Sequence, residues 1–236
     1  MSLHSTFWNH FNGLISIIYP QFCAACGSAL FRNENVLCLK CYAELPRTGF
    51  HSDPENEVAQ LFWGRVPLRN ATSFIYFNKG SRYQHILHEL KYKGQQHIGL
   101  EMGKLFALEL KSTPFANSDL VHPVPLHFSR HRKRGYNQSE LIARGIAQVL
   151  NIPVETSLIT RTVNTHTQTT KSRYERWENV KGIFRVEKPS AIMNKHIMLV
   201  DDVITTGSTI EACANSMLAI NGVTISIASL AFAKLQ

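Results

Sequence analysis

The chain has 236 residues, 44% of them hydrophobic and 18% charged, which excludes a disordered or low-complexity protein and leaves room for one α/β domain with a small appendage. A formal net charge of +8 favours anionic partners (phosphates, nucleic acid or acidic membranes) without choosing among them. The apolar stretch at residues 14–19 is far too short to span a bilayer and no signal-peptide pattern precedes it, so a cytoplasmic protein without a transmembrane segment is expected.

Residues 3–19 carry Phe7, Phe11, Leu14, Ile15 and Ile18 at helical spacing, and Pro20 ends that amphipathic run. Next come Cys23-Ala24-Ala25-Cys26 and Cys38-Leu39-Lys40-Cys41, with eleven residues between the pairs. Each pair suits a tight knuckle, and two knuckles supply four thiolates for one tetrahedral zinc ion. Four sulfurs leave no open position for chemistry, so a structural role is expected, with Arg32, Lys40 and Arg47 offered to nucleic acid as a further hypothesis. The remaining cysteine, Cys213, falls in an apolar helical pattern and reads as core. These features set an N-terminal helix and zinc module at 1–45. Residues 46–70, with three prolines and two glycines, read as a linker of little regular structure.

From residue 71 to 236 the pattern becomes an alternation of strands and helices. Strands are predicted at 71–77, 119–124, 152–162, 196–200 and 223–232, and helices at 83–92, 99–110, 139–150 and 208–220. That order implies a doubly wound, mostly parallel sheet, with a ligand bound beyond the carboxyl ends of its strands.

The most informative segment is His196-Ile197-Met198-Leu199-Val200-Asp201-Asp202-Val203-Ile204-Thr205-Thr206-Gly207-Ser208-Thr209. An apolar strand delivers two adjacent acids to the mouth of the sheet, where they can accept from neighbouring sugar hydroxyls. The turn Thr205, Thr206, Gly207, Ser208 and Thr209 offers hydroxyls and backbone N–H groups, Gly207 allows close approach, and the positive end of a following helix suits a phosphate dianion. A plain helix cap would explain the hydroxyl residues but not the acid pair.

Four other segments support a phosphate site. The turn around Val124-Pro125-Leu126-His127 follows an apolar strand, and Leu126 and His127 are candidate ligand contacts. It leads into a cationic run, Arg130, Arg132, Lys133 and Arg134, followed by Tyr136. That run suits either a pyrophosphate or a nucleic-acid strand, although a charge run is often only a solvated face. The polar stretch holding Arg161, Gln168, Arg173 and Arg176 has the length of an active-site lid. Lys91, at a helix end, is placed to reach a phosphate.

The combination resembles the ComF family (competence protein F-like). It comprises the four-cysteine module, Leu90-Lys91-Tyr92-Lys93-Gly94, Val124-Pro125-Leu126-His127 leading to Arg134-Gly135-Tyr136-Asn137-Gln138, then Gln168, Arg173, Arg176, Asn179, Val180, Gly182 and Phe184, and Val200 through Gly207. The resemblance implies a type I phosphoribosyltransferase fold, with a zinc module in place of a base-binding hood. It implies 5-phosphoribosyl 1-pyrophosphate (PRPP) with magnesium as ligand, held by Asp201, Asp202, residues 205–209, Leu126, His127 and Lys91, with Asp201 and Asp202 as the catalytic pair. It also implies a link to DNA uptake in natural transformation, with single-stranded DNA and competence-machinery proteins as partners. One departure matters: where 6-oxopurine enzymes of the superfamily carry an aspartate, this chain has Thr205, a poor general base. That disfavours hypoxanthine or guanine as acceptor and leaves the acceptor open. Two functions follow: a transferase moving phosphoribose to a nitrogen acceptor, or a non-catalytic PRPP-sensing module that grips single-stranded DNA.

Overall fold

The computed structural model describes residues 21–92, 94–162 and 183–234. The expected helix at 3–19 and most of the expected lid, including Gln168, Arg173 and Arg176, lie outside the described residues.

Four strands form the main sheet: β1 (Leu68–Tyr76), β2 (Leu120–Pro123), β5 (His196–Ile204) and β6 (Thr224–Phe232), in the order β1-β6-β5-β2 with every pairing parallel. Their sequences are apolar on both faces, as a sheet covered on both sides requires. Along β5 the side chains alternate. Met198 and Val200 join a core with α3 (Gln84–Tyr92), α4 (Gln96–Leu110) and α6 (Gln138–Leu150). Ile197 and Leu199 join a second core with α7 (Pro189–Ile192) and α8 (Ser208–Leu218). The doubly wound parallel architecture is therefore present. α4 and α6 meet backbone to backbone: a Cβ on Gly145 would lie 2.1 Å from the Leu100 carbonyl oxygen, so only glycine fits the crossing.

Two expectations need correction, and the cationic run gains a definite structure. Residues 46–67 are not a bare connection: a 3₁₀ turn at Phe50–Ser52 and the helix α2 (Glu57–Leu61) bury Phe50, Val58, Ala59 and Phe62 against the second core, and β1 begins at Leu68. Asn56 ends the preceding turn and caps α2, its side-chain oxygen accepting from Val58 and Ala59 N–H while its amide donates to the Ala71 carbonyl. Apolar residues spaced among prolines and glycines were a weaker signal than the breakers. The expected strand at 152–162 shrinks to β3 (Ile159–Arg161), which pairs antiparallel with β4 (Phe184–Val186) in a separate ribbon; before it, Val154 makes one parallel bridge to Val121. The cationic run is a helix, α5 (Phe128–Arg134), because His127 caps its start and Gly135, at φ 79°, ends it.

The cysteine module carries one short helix, α1 (Leu39–Ala43), and its Val36, Leu37 and Leu45 are continuous with the first core. Cys213 is fully buried in the second core, as expected. His122 on β2 is also fully buried, and its ring nitrogens have no hydrogen-bond partner among the described residues.

Candidate functional site

β5 does not stop at Val200. Its ladder with β6 continues through Asp201 opposite Ser229 and on to Ile204, so both acids are strand residues. Consecutive strand side chains leave by opposite faces. Asp202 turns towards α3, where its Oδ2 lies 2.7 Å from Lys91 Nζ. Asp201 turns the other way and accepts from Ser139 Oγ at 2.9 Å, while the Asp202 N–H also donates to its Oδ1 at 2.9 Å. The neighbouring strand β2 ends at Pro123, so both carboxylates still border one cavity of about 160 Å³, with Lys91, Leu126, Ser139 and Arg161 among its walls.

Electrostatics set the two acids apart. Burial pushes the Asp201 carboxyl up to about 7, and the Asp202 charge beside it adds to that rise; the hydrogen bonds and Lys91 only partly offset it. Arg161, at the end of β3, is held below the usual arginine value by burial and then by the nearby Arg130. The cavity thus contains one acid poised near neutrality and a cationic wall, an arrangement suited to a ligand carrying both hydroxyls and phosphates.

Behind the acids, Thr205 and Thr206 are exposed and Gly207 takes φ 74° as the residue preceding α8. A side chain there would be strained, and its Cβ would lie 2.9 Å from the Phe62 ring. With no capping side chain at that position, the first N–H groups of α8 face a small cradle of about 50 Å³ formed by residues 203–210 and Asp201. Thr206 Oγ1 and Ser208 Oγ sit 3.0 Å apart at its rim. Arg65 braces the turn by donating to the Thr206 carbonyl at 3.3 Å and pairing with Glu211. The segment 46–67 therefore shapes the phosphate cradle, through Phe62 and Arg65.

The sequence candidates divide as follows. Lys91, Leu126, Asp201, Asp202 and Thr209 share the first cavity, and Thr205, Thr206, Gly207 and Ser208 line the cradle. His127 is occupied in capping α5: its Nδ1 accepts from Ser129 N–H at 3.2 Å. On α5, Arg132 and Lys133 are exposed, while Arg134 donates to Gln138 and lies over the Tyr92 ring at 5.7 Å. Tyr136 is a strut, not a free stacking face, since it packs on the first core and donates its hydroxyl to the Leu90 carbonyl at 2.5 Å. The exposed aromatics beside the cations are Phe128 and Tyr92. Arg47 is also tied down, by Glu109 at 3.0 Å and the Tyr42 carbonyl, so of the module's three cations Arg32 and Lys40 are the exposed ones. Sequence reasoning missed Ser139 and Arg65; the spacing Asn137-Gln138-Ser139 shows a cap but not the partner that Ser139 Oγ meets.

In the module, the sulfurs of Cys23, Cys26, Cys38 and Cys41 all lie within 4.8 Å of one another, and Cys26 and Cys38 are 3.8 Å apart. Zinc about 2.3 Å from each of four sulfurs gives a tetrahedral edge of about 3.8 Å. The Cys38 N–H donates to Cys23 Sγ and the Cys41 N–H to Cys38 Sγ, contacts that stabilise thiolates. The four cysteines are positioned to bind a metal ion, and their donor set fits zinc.

A phosphoribosyl transferase domain model matches residues 105–236, more than half of the chain. The chain belongs to the phosphoribosyl transferase domain family. This phosphoribosyltransferase-family chain is 34% identical over 146 residues to "DNA utilization protein YhgH" of Escherichia coli O157:H7, covering 60% of the chain and 63% of the relative. It is 30% identical over 131 residues to "Competence protein F" of Haemophilus influenzae, covering 53% and 57%. Against "Competence protein ComFC" of Bacillus subtilis it is 34% identical over 96 residues, covering 41% and 37%. The matched region is thus less than two thirds of each relative's own length. The resemblance to competence protein F-like proteins and the type I phosphoribosyltransferase fold both stand. Among the described residues no helix is long and apolar enough to cross a membrane.

Proposed function

We propose that the chain binds PRPP with magnesium at the end of β5 and transfers its phosphoribosyl group to a nitrogen acceptor. One observation carries this reading: Asp201 and Asp202 border a cation-walled cavity directly in front of a glycine-shaped phosphate cradle. The 5-phosphate sits on the first N–H groups of α8 with Thr205, Thr206, Ser208 and Thr209 around it. Asp201 and Asp202 accept from the ribose hydroxyls and offset the positive charge that grows on the sugar as the bond from C1 to the pyrophosphate oxygen breaks. Leu126 and the start of α5 flank the leaving pyrophosphate, with Arg161, Arg130 and Arg134 offsetting its charge. His127 acts indirectly here, by capping α5. The Lys91 ammonium stands within reach of both the acid pair and the pyrophosphate side. Magnesium, when bound, neutralises pyrophosphate oxygens and keeps several waters, as that ion tends to do. Gln168, Arg173 and Arg176 belong to the proposed lid. Zinc on Cys23, Cys26, Cys38 and Cys41 is structural.

A second reading keeps PRPP as ligand but not as substrate, with single-stranded DNA as the partner. The exposed rings of Phe128 and Tyr92 beside Arg132 and Lys133 favour it, since alternating cations and aromatic faces suit an unpaired strand. The relatives' names, DNA utilization protein and competence protein, support a role in DNA uptake alongside competence proteins, which we place in the cytoplasm.

Calorimetry with PRPP and magnesium, joined to a pyrophosphate-release assay across a panel of nucleobases and amines, tests the two readings. Saturable binding with release in the presence of one acceptor supports the transferase. Saturable binding without release from any acceptor supports the module. Binding unchanged by Asp201→Asn with Asp202→Asn rejects the site.

A further inference from the structure

The ion pair between Lys91 and Asp202 stands where a ribose hydroxyl has to go. Lys91 Nζ lies 2.7 Å from Asp202 Oδ2, and both side chains are largely withdrawn from solvent, at 22% and 16% exposure. A sugar entering the acid-pair cavity meets an Asp202 carboxylate already engaged. Lys91 also belongs to a second, larger cavity of about 680 Å³, walled by Tyr92, Lys133, Arg134 and Tyr136 among others, which shares Lys91, Arg130 and Arg134 with the first. The lysine thus sits on the boundary between a site for hydroxyls and a site for anions. Its partner on the first side is one carboxylate; no acid is among the described walls of the second.

We propose that Lys91 is a specificity latch: it holds Asp202 closed to the sugar until an anionic group on C1 of that sugar draws the ammonium into the second cavity. This inference rests on the proposed PRPP site and adds to it the reason a ribose with a pyrophosphate on C1 is chosen over ribose 5-phosphate. Both ligands bring a 5-phosphate to the cradle at Gly207 and hydroxyls to the acids. Only PRPP supplies a replacement partner for Lys91. A ligand without that anion must break the ion pair with nothing in return, or forgo Asp202; discrimination arises because the wrong ligand leaves a charge unpaired.

A latch differs from an ordinary phosphate contact in the sign of its removal. Replacing a simple contact weakens PRPP and leaves ribose 5-phosphate alone. Replacing a latch weakens PRPP but frees Asp202, so ribose 5-phosphate binds better. The test is calorimetry of wild type and Lys91→Met, which keeps the apolar stem, against PRPP and ribose 5-phosphate with magnesium. For Lys91→Met we expect PRPP binding weaker by about tenfold and ribose 5-phosphate binding tighter by about threefold, shifts typical of a partly buried ion pair. Changes of the same sign for both ligands, or none for ribose 5-phosphate, overturn the latch while leaving the PRPP site standing. No PRPP binding by the wild-type chain overturns both. Should the variant fail to fold, the wild type answers alone. Saturating magnesium pyrophosphate, by drawing Lys91 aside, is expected to tighten ribose 5-phosphate binding about threefold through the same coupling. Unchanged or weaker binding overturns the latch.

Discussion

The cysteine module and the acid-pair end of the sheet both gather like charges, and they solve the resulting repulsion in opposite ways. In the module four sulfurs converge within 4.8 Å, their protein partners being weak N–H and side-chain donors. The counter-charge that this donor set fits is a metal ion. At the acid pair the protein supplies the compensation itself: Lys91 on Asp202, Ser139 on Asp201, and a carboxyl pushed up to about 7 so that it is only partly ionised near neutrality. The first region is therefore expected to depend on a bound ion for its fold. The second is held by a covered sheet, and its residual charge imbalance is what the proposed ligand would answer.

That contrast can be broken first at the module. Stripping metal with a strong chelator, or Cys41→Ser, is expected to melt residues 21–45 while leaving the main sheet folded. Structural zinc contributes about 10 kcal/mol to such small modules, somewhat more than the roughly 5–9 kcal/mol from burying Val36, Leu37 and Leu45. Amide hydrogen exchange checks it: protection lost in the module and retained in β5 and β6. Loss in both at once would mean that the two regions fold as one unit.

A smaller effect is expected at the cradle. Gly207→Ala puts a methyl group 2.9 Å from the Phe62 ring and forces φ 74° on a side-chain-bearing residue. Left-handed strain and overpacking together suggest a loss of about 2–4 kcal/mol. Because Phe62 and Arg65 brace the same turn, ligand affinity is expected to fall with stability. Urea titration and calorimetry on the same variant measure the two. In a double-mutant cycle Gly207→Ala is expected to cost less in the Phe62→Ala background than in the wild type, and that coupling identifies the ring as the cause.

How much of this was readable beforehand follows the range of the interactions. The acid pair, the hydroxyl turn and the cysteine spacing are local patterns; the four cysteines do converge and the turn does precede a helix, whereas the acids stand within the strand and not beyond it. The strand at β5 was legible only as far as Val200, because two aspartates break an apolar run; what carries it to Ile204 is the ladder to β6, whose partner residues lie 28 positions downstream, as Asp201 opposite Ser229 shows. Residues 46–67 read as linker because prolines and glycines dominate locally, whereas Val58 and Phe62 gain their burial from α8 and β1 across the fold. Tyr136 read as a stacking face because a sequence does not show that its hydroxyl meets the Leu90 carbonyl. Function-bearing contacts between distant segments, such as Lys91 with Asp202 and Arg65 with Thr206, were the least legible for the same reason.

The finest test of the comparison uses two buried titratable groups in the acid-pair half that push stability in opposite directions. Folded Asp201 keeps its proton up to about 7 against 3.8 for an open carboxyl, so its contribution is full at low pH and lost as the pH rises towards 7. His122 is fully buried on β2, and burial pushes its imidazole down to about 4 from 6.5. Its contribution is full above 6.5 and lost as the pH falls towards 4. Across the shared window the two slopes cancel, and the wild-type profile is expected to be shallow. Asp201→Asn removes one slope and exposes the other. That variant is expected to gain stability at neutral pH, and to lose about 2 kcal/mol relative to its neutral value on acidification by roughly two pH units. His122→Leu does the reverse, becoming more stable relative to its own neutral value as the pH is lowered over the same range. Urea midpoints taken from about pH 7.5 to about pH 4.5 read both slopes. Parallel profiles for the two variants would show that the charge imbalance at the acid pair is relieved by solvent, and that the end of β5 is no more strained than the cysteine module with its ion in place.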